Sequence, residues 1–343
     1  MPERLDTIRM WDVTAGLPEQ VEAALAVGES LTGLPSHEDI ANVLVLGMGG
    51  SGIAGDLVAA VAGPFMAVPI VVAKAYEPPS FVDESTLVVA ISFSGNTEET
   101  VEAVQEAAVS GGRVLAVTAG GRLGELAQSW GAPRADLPAD IPMPRAGLGA
   151  MAIPVLVAFE KMGFFPGASE WVHRAVQQLK RRRDQLVGDK SPAAPIARSI
   201  GRTIPLVYGA GPLGEVAARR WKAQCNENAK IPAFSNAMPE LCHNEICGWG
   251  QHGDVTRQVL TLVNLRHDHE HPQEMRRFDL IAELYREVVA DVIEARAEGE
   301  GELAQLLDLA LFGDFVSLEL AANAGVDPGP IPVLEDLKAA LAR

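Results

Sequence analysis

The fold is decided by the stretch Val43-Leu44-Val45-Leu46-Gly47-Met48-Gly49-Gly50-Ser51-Gly52, an apolar strand that runs into a glycine loop and, from the last of these glycines, into a predicted helix. Apolar, β-branched runs recur at residues 70–73, 87–91 and 114–117, with a further helix predicted over residues 98–110. Strands that are apolar throughout and alternate with helices are typical of a parallel sheet covered on both faces. The pattern predicts an α/β fold with a doubly wound, flavodoxin-like sheet.

The pattern restarts in the second half of the chain at Pro205-Leu206-Val207-Tyr208-Gly209-Ala210-Gly211, which repeats the strand and the glycine turn. A buried strand is predicted at residues 260–263 and a helix over residues 275–294. Between the halves, a polar helix is predicted over residues 170–186 and a linker at residues 191–195. The sequence therefore predicts two tandem domains of one type. The predicted boundaries are residues 1–168 for an N-terminal helix (8–31) plus the first domain, 169–195 for the connecting helix and linker, and 196–343 for the second domain with a helical tail.

The charge of the chain limits its partners. Asp and Glu number 45 against 28 Lys and Arg, a formal net charge of −17. Such a field repels nucleic acid and anionic membrane surfaces, so we expect neither as a partner. The first residues do not resemble a signal peptide, and the longest apolar run, residues 146–159, is too short to span a bilayer. Because three cysteines do not make a disulfide framework, we expect a cytoplasmic protein with reduced thiols.

Two glycine loops, at residues 47–52 and 209–214, match the G-x-G-x-x-G pattern between a strand and a helix. A dinucleotide site is one interpretation, but it expects an acidic residue at the end of the next strand, where this chain has Lys74. A tight turn that needs small residues is another interpretation. In the first loop, Ser51 stands with Gly49 and Gly50 beside the free N–H groups of a helix N-terminus, which predicts a phosphate site.

A second loop rich in hydroxyls follows the strand at residues 87–91, with the sequence Ser92-Phe93-Ser94-Gly95-Asn96-Thr97. Thr97 is placed to cap the next helix, and Gly95 permits a positive φ. Capping does not explain why Ser92 and Ser94 also carry hydroxyls. A phosphate would use all three hydroxyls together with exposed N–H groups, and it would need no arginine in so acidic a chain. The serine loop (residues 92–97) therefore predicts a phosphate-binding site.

The serine loop and Gly49-Gly50-Ser51 together resemble the sugar-isomerase (SIS) domain, which binds phosphosugars. Three further segments resemble the bifunctional phosphoglucose/phosphomannose isomerase family, and the resemblance covers almost the whole chain: Asn226-Glu227-Asn228-Ala229-Lys230-Ile231-Pro232-Ala233, Leu241-Cys242-His243-Asn244-Glu245, and the tail at residues 327–341. The resemblance implies tandem SIS domains and an enzyme without a cofactor or metal. Its reaction would interconvert glucose 6-phosphate and/or mannose 6-phosphate with fructose 6-phosphate through a cis-enediol(ate).

The same resemblance assigns four catalytic roles. Glu227, between two asparagines that could orient it, matches the family's proton-transferring glutamate, and a positioned carboxylate suits this proton transfer. His243 matches a histidine that assists ring opening from the neighbouring subunit, which implies a homodimer. Lys338 matches a lysine of the ring-opening step. Arg145 matches an arginine that faces the developing enediolate, where a cation stabilises charge that appears only during the reaction.

The chain departs from the family at two positions. It has Gly329 in Asp327-Pro328-Gly329-Pro330, where the family often carries a threonine, so the handling of the two epimers is open. It also has Phe93 where tyrosine is common. A non-catalytic phosphosugar sensor is the rival interpretation, because a sensor needs the two phosphate loops without the four catalytic groups.

A zinc site is a further alternative that the sequence invites. Two sets of side chains suggest it, but the first set lacks a C-x₂-C pair and the second resembles a polar loop before a helix, so no metal is predicted. The two sets are Cys225, Cys242, His243, Cys247 and His252, and the run at residues 267–271.

Overall fold

The computed structural model describes residues 5–188 and 190–341, and the chain divides into two compact units. The N-terminal unit consists of Gly16–Lys180 and Glu298–Asp308. The C-terminal unit consists of Met1–Ala15, Arg181–Ala297 and Leu309–Arg343. Each unit is thus assembled from separate segments of the chain. The boundaries predicted after residues 168 and 195 stay a prediction, because they divide the chain by type of domain and not by contacts.

Each unit contains one parallel sheet, which confirms the predicted fold class. The first sheet has the order β2-β1-β3-β4-β5, which is the flavodoxin-like order. The second sheet has the order β7-β6-β8-β9, which corresponds to the first four strands of the first sheet. The strands within the described residues are β1 Asn42–Leu46, β2 Ile70–Ala73, β3 Thr86–Ile91, β4 Arg113–Thr118, β5 Arg134–Asp136, β6 Ile204–Ala210, β7 Phe234–Met238, β8 Leu260–Arg266 and β9 Asp291–Arg296.

Helices alternate with the strands in both units, except between β2 and β3, which are joined by residues 74–85 without a helix. Strand β3 is buried at every position, as expected for a strand with helices packed on both faces. No helix in the described ranges is long and apolar enough to cross a membrane. The helices are α1 Met10–Ala15, α2 Leu17–Ser30, α3 Gly49–Ala62, α4 Glu98–Val109, α5 Gly121–Trp130, α6 Leu148–Met162, α7 Ala168–Leu186, α8 Ala193–Ile200, α9 Gly211–Glu227, α10 Gly253–Val259, α11 Pro272–Tyr285, α12 Glu302–Ala324 and α13 Pro332–Leu341.

The helix predicted over residues 275–294 is wrong in its second half. Helix α11 ends at Tyr285, and Asp291–Arg296 is strand β9 at the edge of the second sheet. Val292 and Ile293 are β-branched and favour a strand, but an edge strand is only partly buried and lacks the continuous apolar run that marks a central strand. The segment therefore carried a weaker signal than the helix before it.

Two smaller predictions also need correction. The helix predicted over residues 8–31 is two helices, α1 and α2, because Gly16 leaves the helical conformation between them and Pro18 opens the second. The linker predicted at residues 191–195 is shorter, because α8 begins at Ala193.

Candidate active site

The serine loop joins β3 to α4 at the carboxyl end of the first sheet. Ser92 is fully buried, and its Oγ donates a hydrogen bond to Thr97 Oγ1 at 2.9 Å. Thr97 N in turn donates to Ser92 Oγ at 3.4 Å. Thr97 is the N-cap residue of α4, as predicted, but its side chain makes no capping bond. Ser94 is exposed and accepts from Asn96 N at 3.2 Å. The loop is thus braced by Ser92 and presents Ser94 to solvent.

A third loop, which follows β4 and contains Gly120 and Gly121, contacts the serine loop. This loop was not predicted from the sequence. Gly95 has a φ of +71°, as predicted, and a Cβ there would lie 1.8 Å from the carbonyl oxygen of Gly120. Asn96 Oδ1 accepts from Arg122 N at 2.9 Å, just beyond the glycine pair. The pair Gly120-Gly121, separated by one residue from the end of β4, was the available signal for this turn. The third loop therefore contacts the serine loop at two consecutive residues, Gly95 and Asn96.

Ser51 connects the glycine loop to the serine loop. Its side chain is buried, accepts a hydrogen bond from Phe93 N at 3.3 Å and donates to Met151 Sδ at 3.4 Å. Helix α3 begins at Gly49, three residues earlier than predicted, and Gly49 has a φ of +53°. The N-terminus of α3 and the serine loop are therefore neighbours, as a shared phosphate site requires.

Arg145 lies against the same glycine loop. It belongs to a short 3-10 turn, Pro144–Ala146, and its side chain is buried. A Cβ on Gly50 would be 3.2 Å from both Cα and N of Arg145, so this glycine permits the close approach of the two backbones. The backbone of Arg145 thus lies next to the first turn of α3, and its buried side chain carries a positive charge in an otherwise acidic chain.

Glu227 is the last residue of α9 in the C-terminal unit and is half-buried. Asn226 Nδ2 donates to Ile231 O at 2.9 Å, and the buried Asn228 donates to Ser317 Oγ, also at 2.9 Å. The two asparagines therefore fix the backbone on both sides of Glu227.

A cavity of about 390 Å³ opens beside Glu227. One wall is the end of α9, and the other is the C-terminal tail at the start of α13. Lys338 is exposed and lies one helical turn beyond Leu334, which lines this cavity. The lining residues are Asn226, Glu227, Lys230, Ile331, Pro332, Val333, Leu334 and Asp336.

His243 is exposed at the end of a 3-10 turn, Glu240–His243. The segment is anchored by Glu245, whose carboxylate accepts from the Tyr208 hydroxyl and from Asn236 Nδ2, the latter at 2.6 Å. Burial, and then the hydrogen bond to Glu245, raise the pKa of Tyr208 well above its ordinary value, so it stays a neutral donor. Sequence reasoning did not find this anchor, because its members come from two strands and a turn.

The second glycine loop, at residues 209–214, is occupied by protein groups. His267, from the loop that follows β8, is buried, and its Nε2 lies 2.9 Å from Ala210 O. Burial lowers the pKa of His267, which keeps the imidazole neutral. Glu270 is also buried and accepts from Arg266 Nε and Nη2. An uncharged imidazole that bonds to the glycine loop does not favour a phosphate there, so the two units differ at equivalent positions.

The metal alternative finds no geometric support in the part of the chain that is described, because no three His, Cys, Asp or Glu side chains are grouped to hold an ion. The three cysteines are free thiols. His271 is the N-cap of α11 and forms a capping box with Glu274, which accounts for one of the suggested ligands.

The predicted site residues are thus divided between the units. The N-terminal unit carries Arg145 and the predicted phosphate groups, in adjoining loops, whereas the C-terminal unit carries the other three predicted catalytic groups. The phosphate groups are Gly49, Gly50, Ser51, Ser92, Ser94 and Thr97, and the three catalytic groups are Glu227, His243 and Lys338.

Comparison with known proteins identifies the family. The model of the SIS domain matches residues 38–128, and that of the bacterial phospho-glucose isomerase C-terminal SIS domain matches residues 189–341. Bifunctional phosphoglucose/phosphomannose isomerases from Caldicellulosiruptor bescii and Thermoplasma acidophilum are 34% and 33% identical, over 97% and 87% of this chain and 99% and 88% of theirs. The solved tagatose-6-phosphate ketose/aldose isomerase of Escherichia coli has the same fold, with a TM-score of 0.68, 17% identity and coverage of 94% of this chain and 95% of that one. The chain therefore belongs to the bifunctional phosphoglucose/phosphomannose isomerase family.

Proposed function

We propose that this chain interconverts glucose 6-phosphate and mannose 6-phosphate with fructose 6-phosphate through a cis-enediol(ate). The isomerase class rests on family membership over nearly the whole chain. The observation that carries the catalytic assignment is the position of Glu227, a half-buried carboxylate on the wall of a cavity about 390 Å³ in volume. A hexose phosphate needs such a base, because its C2 proton must move to C1.

Each group then has a chemical task. Glu227 removes the proton at C2 and returns it at C1, a step for which a positioned base contributes about 10²–10⁴ in rate. Arg145 stabilises the negative charge that develops on the enediolate oxygen. The serine loop, with Gly49, Gly50 and Ser51, holds the phosphate through hydroxyl and N–H donors. No cofactor or metal has a part in this scheme.

We further propose a homodimer in which His243 reaches the neighbouring subunit and, with Lys338, assists ring opening. The exposure of His243 on its turn supports this, because an exposed imidazole is available to a second copy. Helix α13 also exposes an apolar row that a second copy could cover: Val333, Leu334, Leu337 and Leu341. We place the protein in the cytoplasm, where its free thiols stay reduced.

The isomerase proposal is tested by coupled assays for fructose 6-phosphate, starting from each of the two aldose phosphates. We expect both substrates to turn over and Glu227→Gln to lose at least about 10²-fold in kcat, the lower range for a positioned general base. Glu215→Gln on the same helix α9 is the matched control and should retain full activity. A wild type that binds the sugars without turnover would establish the sensor, and full activity in Glu227→Gln would exclude this base.

The shared site is tested by mixing two inactive variants, Glu227→Gln and His243→Ala, after joint unfolding and refolding. If His243 acts across a twofold interface, each mixed dimer regains one intact site, and random pairing restores about a quarter of wild-type activity. If each subunit uses its own histidine, the mixture stays inactive.

A further inference from the structure

Lys230 has a backbone conformation that is uncommon for lysine. Its φ is +57°, in the left-handed region, where the Cβ of an L-residue crowds the carbonyl oxygen that follows it. Such a conformation persists when surrounding contacts hold it in place. Lys230 stands three residues beyond Glu227 and also lines the cavity beside it. The contacts of its side chain therefore bear on the base.

The ammonium group of Lys230 is surrounded by four backbone carbonyl oxygens. Two belong to the end of α9: Glu227 O at 2.8 Å and Asn228 O at 3.3 Å. The other two belong to the C-terminal tail: Asp327 O at 2.7 Å and Pro328 O at 3.2 Å. The ammonium has three N–H donors: two can serve the two short contacts, and the third can be shared between the two longer ones. The carbonyl end of a helix also favours a cation.

These contacts join the two walls of the cavity. One wall ends at Glu227, and the other begins shortly after Pro328, with Ile331 and the first turn of α13. The tail is fixed on its far side as well, because Thr7 Oγ1 donates to Asp327 Oδ2 at 2.6 Å. The ammonium of Lys230 therefore bridges the end of α9, which carries the proposed base, and the tail segment that precedes α13.

We propose that Lys230 is a positioning residue for the isomerisation, which holds the C-terminal tail at a fixed distance from Glu227. This inference rests on the proposed function. Proton transfer and ring opening both depend on the placement of Glu227 and Lys338 around one sugar, and a displacement of about 1 Å can cost as much as 10²-fold in rate. The proposed phosphate contacts belong to the N-terminal unit and do not include Lys230, so we expect KM to change little when Lys230 is replaced.

Two variants separate positioning from backbone stability. Lys230→Met keeps the left-handed strain and the aliphatic stem but removes every donor. Lys230→Gly also removes the donors but relieves the strain, because glycine adopts a positive φ freely. Lys222→Met, on the same helix α9, controls for the loss of one positive charge. The three variants are compared with wild type by kcat and KM on glucose 6-phosphate, by thermal unfolding, and by hydrogen exchange of residues 328–341.

We expect kcat to fall by about 10- to 100-fold in both Lys230 variants with KM changed less than about threefold. Thermal stability should recover from the methionine to the glycine variant while kcat does not, and hydrogen exchange of the tail should accelerate in both. Lys222→Met should match wild type. If kcat recovers together with stability in Lys230→Gly, or if the tail exchanges as in wild type, Lys230 has no positioning role. An inactive wild type would instead refute the proposed function itself.

Discussion

Gly329 is one of the two positions at which a departure from the family is expected from the sequence, and the structure supplies a physical reason for a glycine there. A Cβ at residue 329 would lie 2.4 Å from Cγ1 and 2.9 Å from Cδ1 of Ile8. Both distances are well inside the optimal carbon–carbon separation of about 3.5–4.0 Å. The space that a threonine side chain would take is therefore already filled by Ile8, which is half-buried. We predict that Gly329→Thr destabilises the C-terminal unit unless Ile8 is also shortened.

The magnitude follows from the packing. Forcing extra side-chain atoms into an occupied space costs typically about 1–3 kcal/mol. Because the half-buried Ile8 can partly swing away, we expect a loss of about 1–2 kcal/mol for Gly329→Thr. Ile8→Ala alone should cost about 1 kcal/mol, below the range for a fully buried isoleucine. In the double variant the contact no longer exists, so the free energies of unfolding should be non-additive by about 1 kcal/mol or more.

The assay is urea unfolding of the wild type, the two single variants and the double variant, followed by fluorescence. The same four proteins are assayed for kcat/KM on glucose 6-phosphate and mannose 6-phosphate. We expect the ratio of these two values to change in the double variant, which carries a hydroxyl at residue 329 without the clash with Ile8. Strictly additive free energies of unfolding would refute the claim that Ile8 occupies the threonine space. An unchanged ratio would show that residue 329 does not discriminate between the epimers.

Three other substitutions test the loops and the tail. Gly95→Ala should unfold at a markedly lower temperature and bind phosphosugars weakly, because its Cβ would lie 1.8 Å from the carbonyl oxygen of Gly120. Gly49→Ala is the matched comparison, because Gly49 also has a positive φ but no atom lies within 4 Å of the added Cβ. It should lose only about 1 kcal/mol of unfolding free energy, as measured by thermal denaturation. The pKa of Asp327 is lowered, although its partial burial opposes this, because Thr7 and the backbone donate to its carboxylate. The carboxylate of Asp327 therefore stabilises the folded protein fully above the unfolded-state pKa of about 3.9. This stabilisation is lost as the pH falls through the lowered pKa of the folded state. Asp327→Asn should weaken the protein in urea at pH 7 but hardly at pH 2, and an equal loss at both values would contradict this origin.

For the central strands, most of the predicted ends lie within one residue of the observed ends, and the reason is physical. Strand β1 lies between two neighbours, and β3 is buried on both faces, so their sequences are continuously apolar. Strands β5, β7 and β9 were missed; all three lie at sheet edges and contain polar residues, so no continuous apolar run marks them. Strand β2 also lies at a sheet edge, but its four residues are all apolar, and it was predicted with the bounds that the structure has.

The candidate site was predictable as a set of residue types but not as an arrangement. The hydroxyls of the serine loop were visible, yet Ser92 is buried and braces the loop through Thr97. The anchoring of His243 through Glu245 was not visible, because hydrogen bonds between a turn and two separate strands leave no periodic signal. Lys230 gave no signal either, because its role depends on carbonyl groups almost a hundred residues away.

The contrast between the two sheets explains how a duplicated fold can carry one catalytic scheme. After β3, small hydroxyl side chains and glycine leave the N-terminus of α3 open to an anion. At the equivalent point after β8, the buried and neutral His267 bonds to the glycine loop, so a protein group stands there and brings no positive charge for an anion. A second phosphate site would bind the substrate again without contributing to the reaction, since binding alone does not lower the barrier. The C-terminal unit carries the residues that we propose for proton transfer and ring opening, Glu227, His243 and Lys338, at other places on its fold, away from its glycine loop.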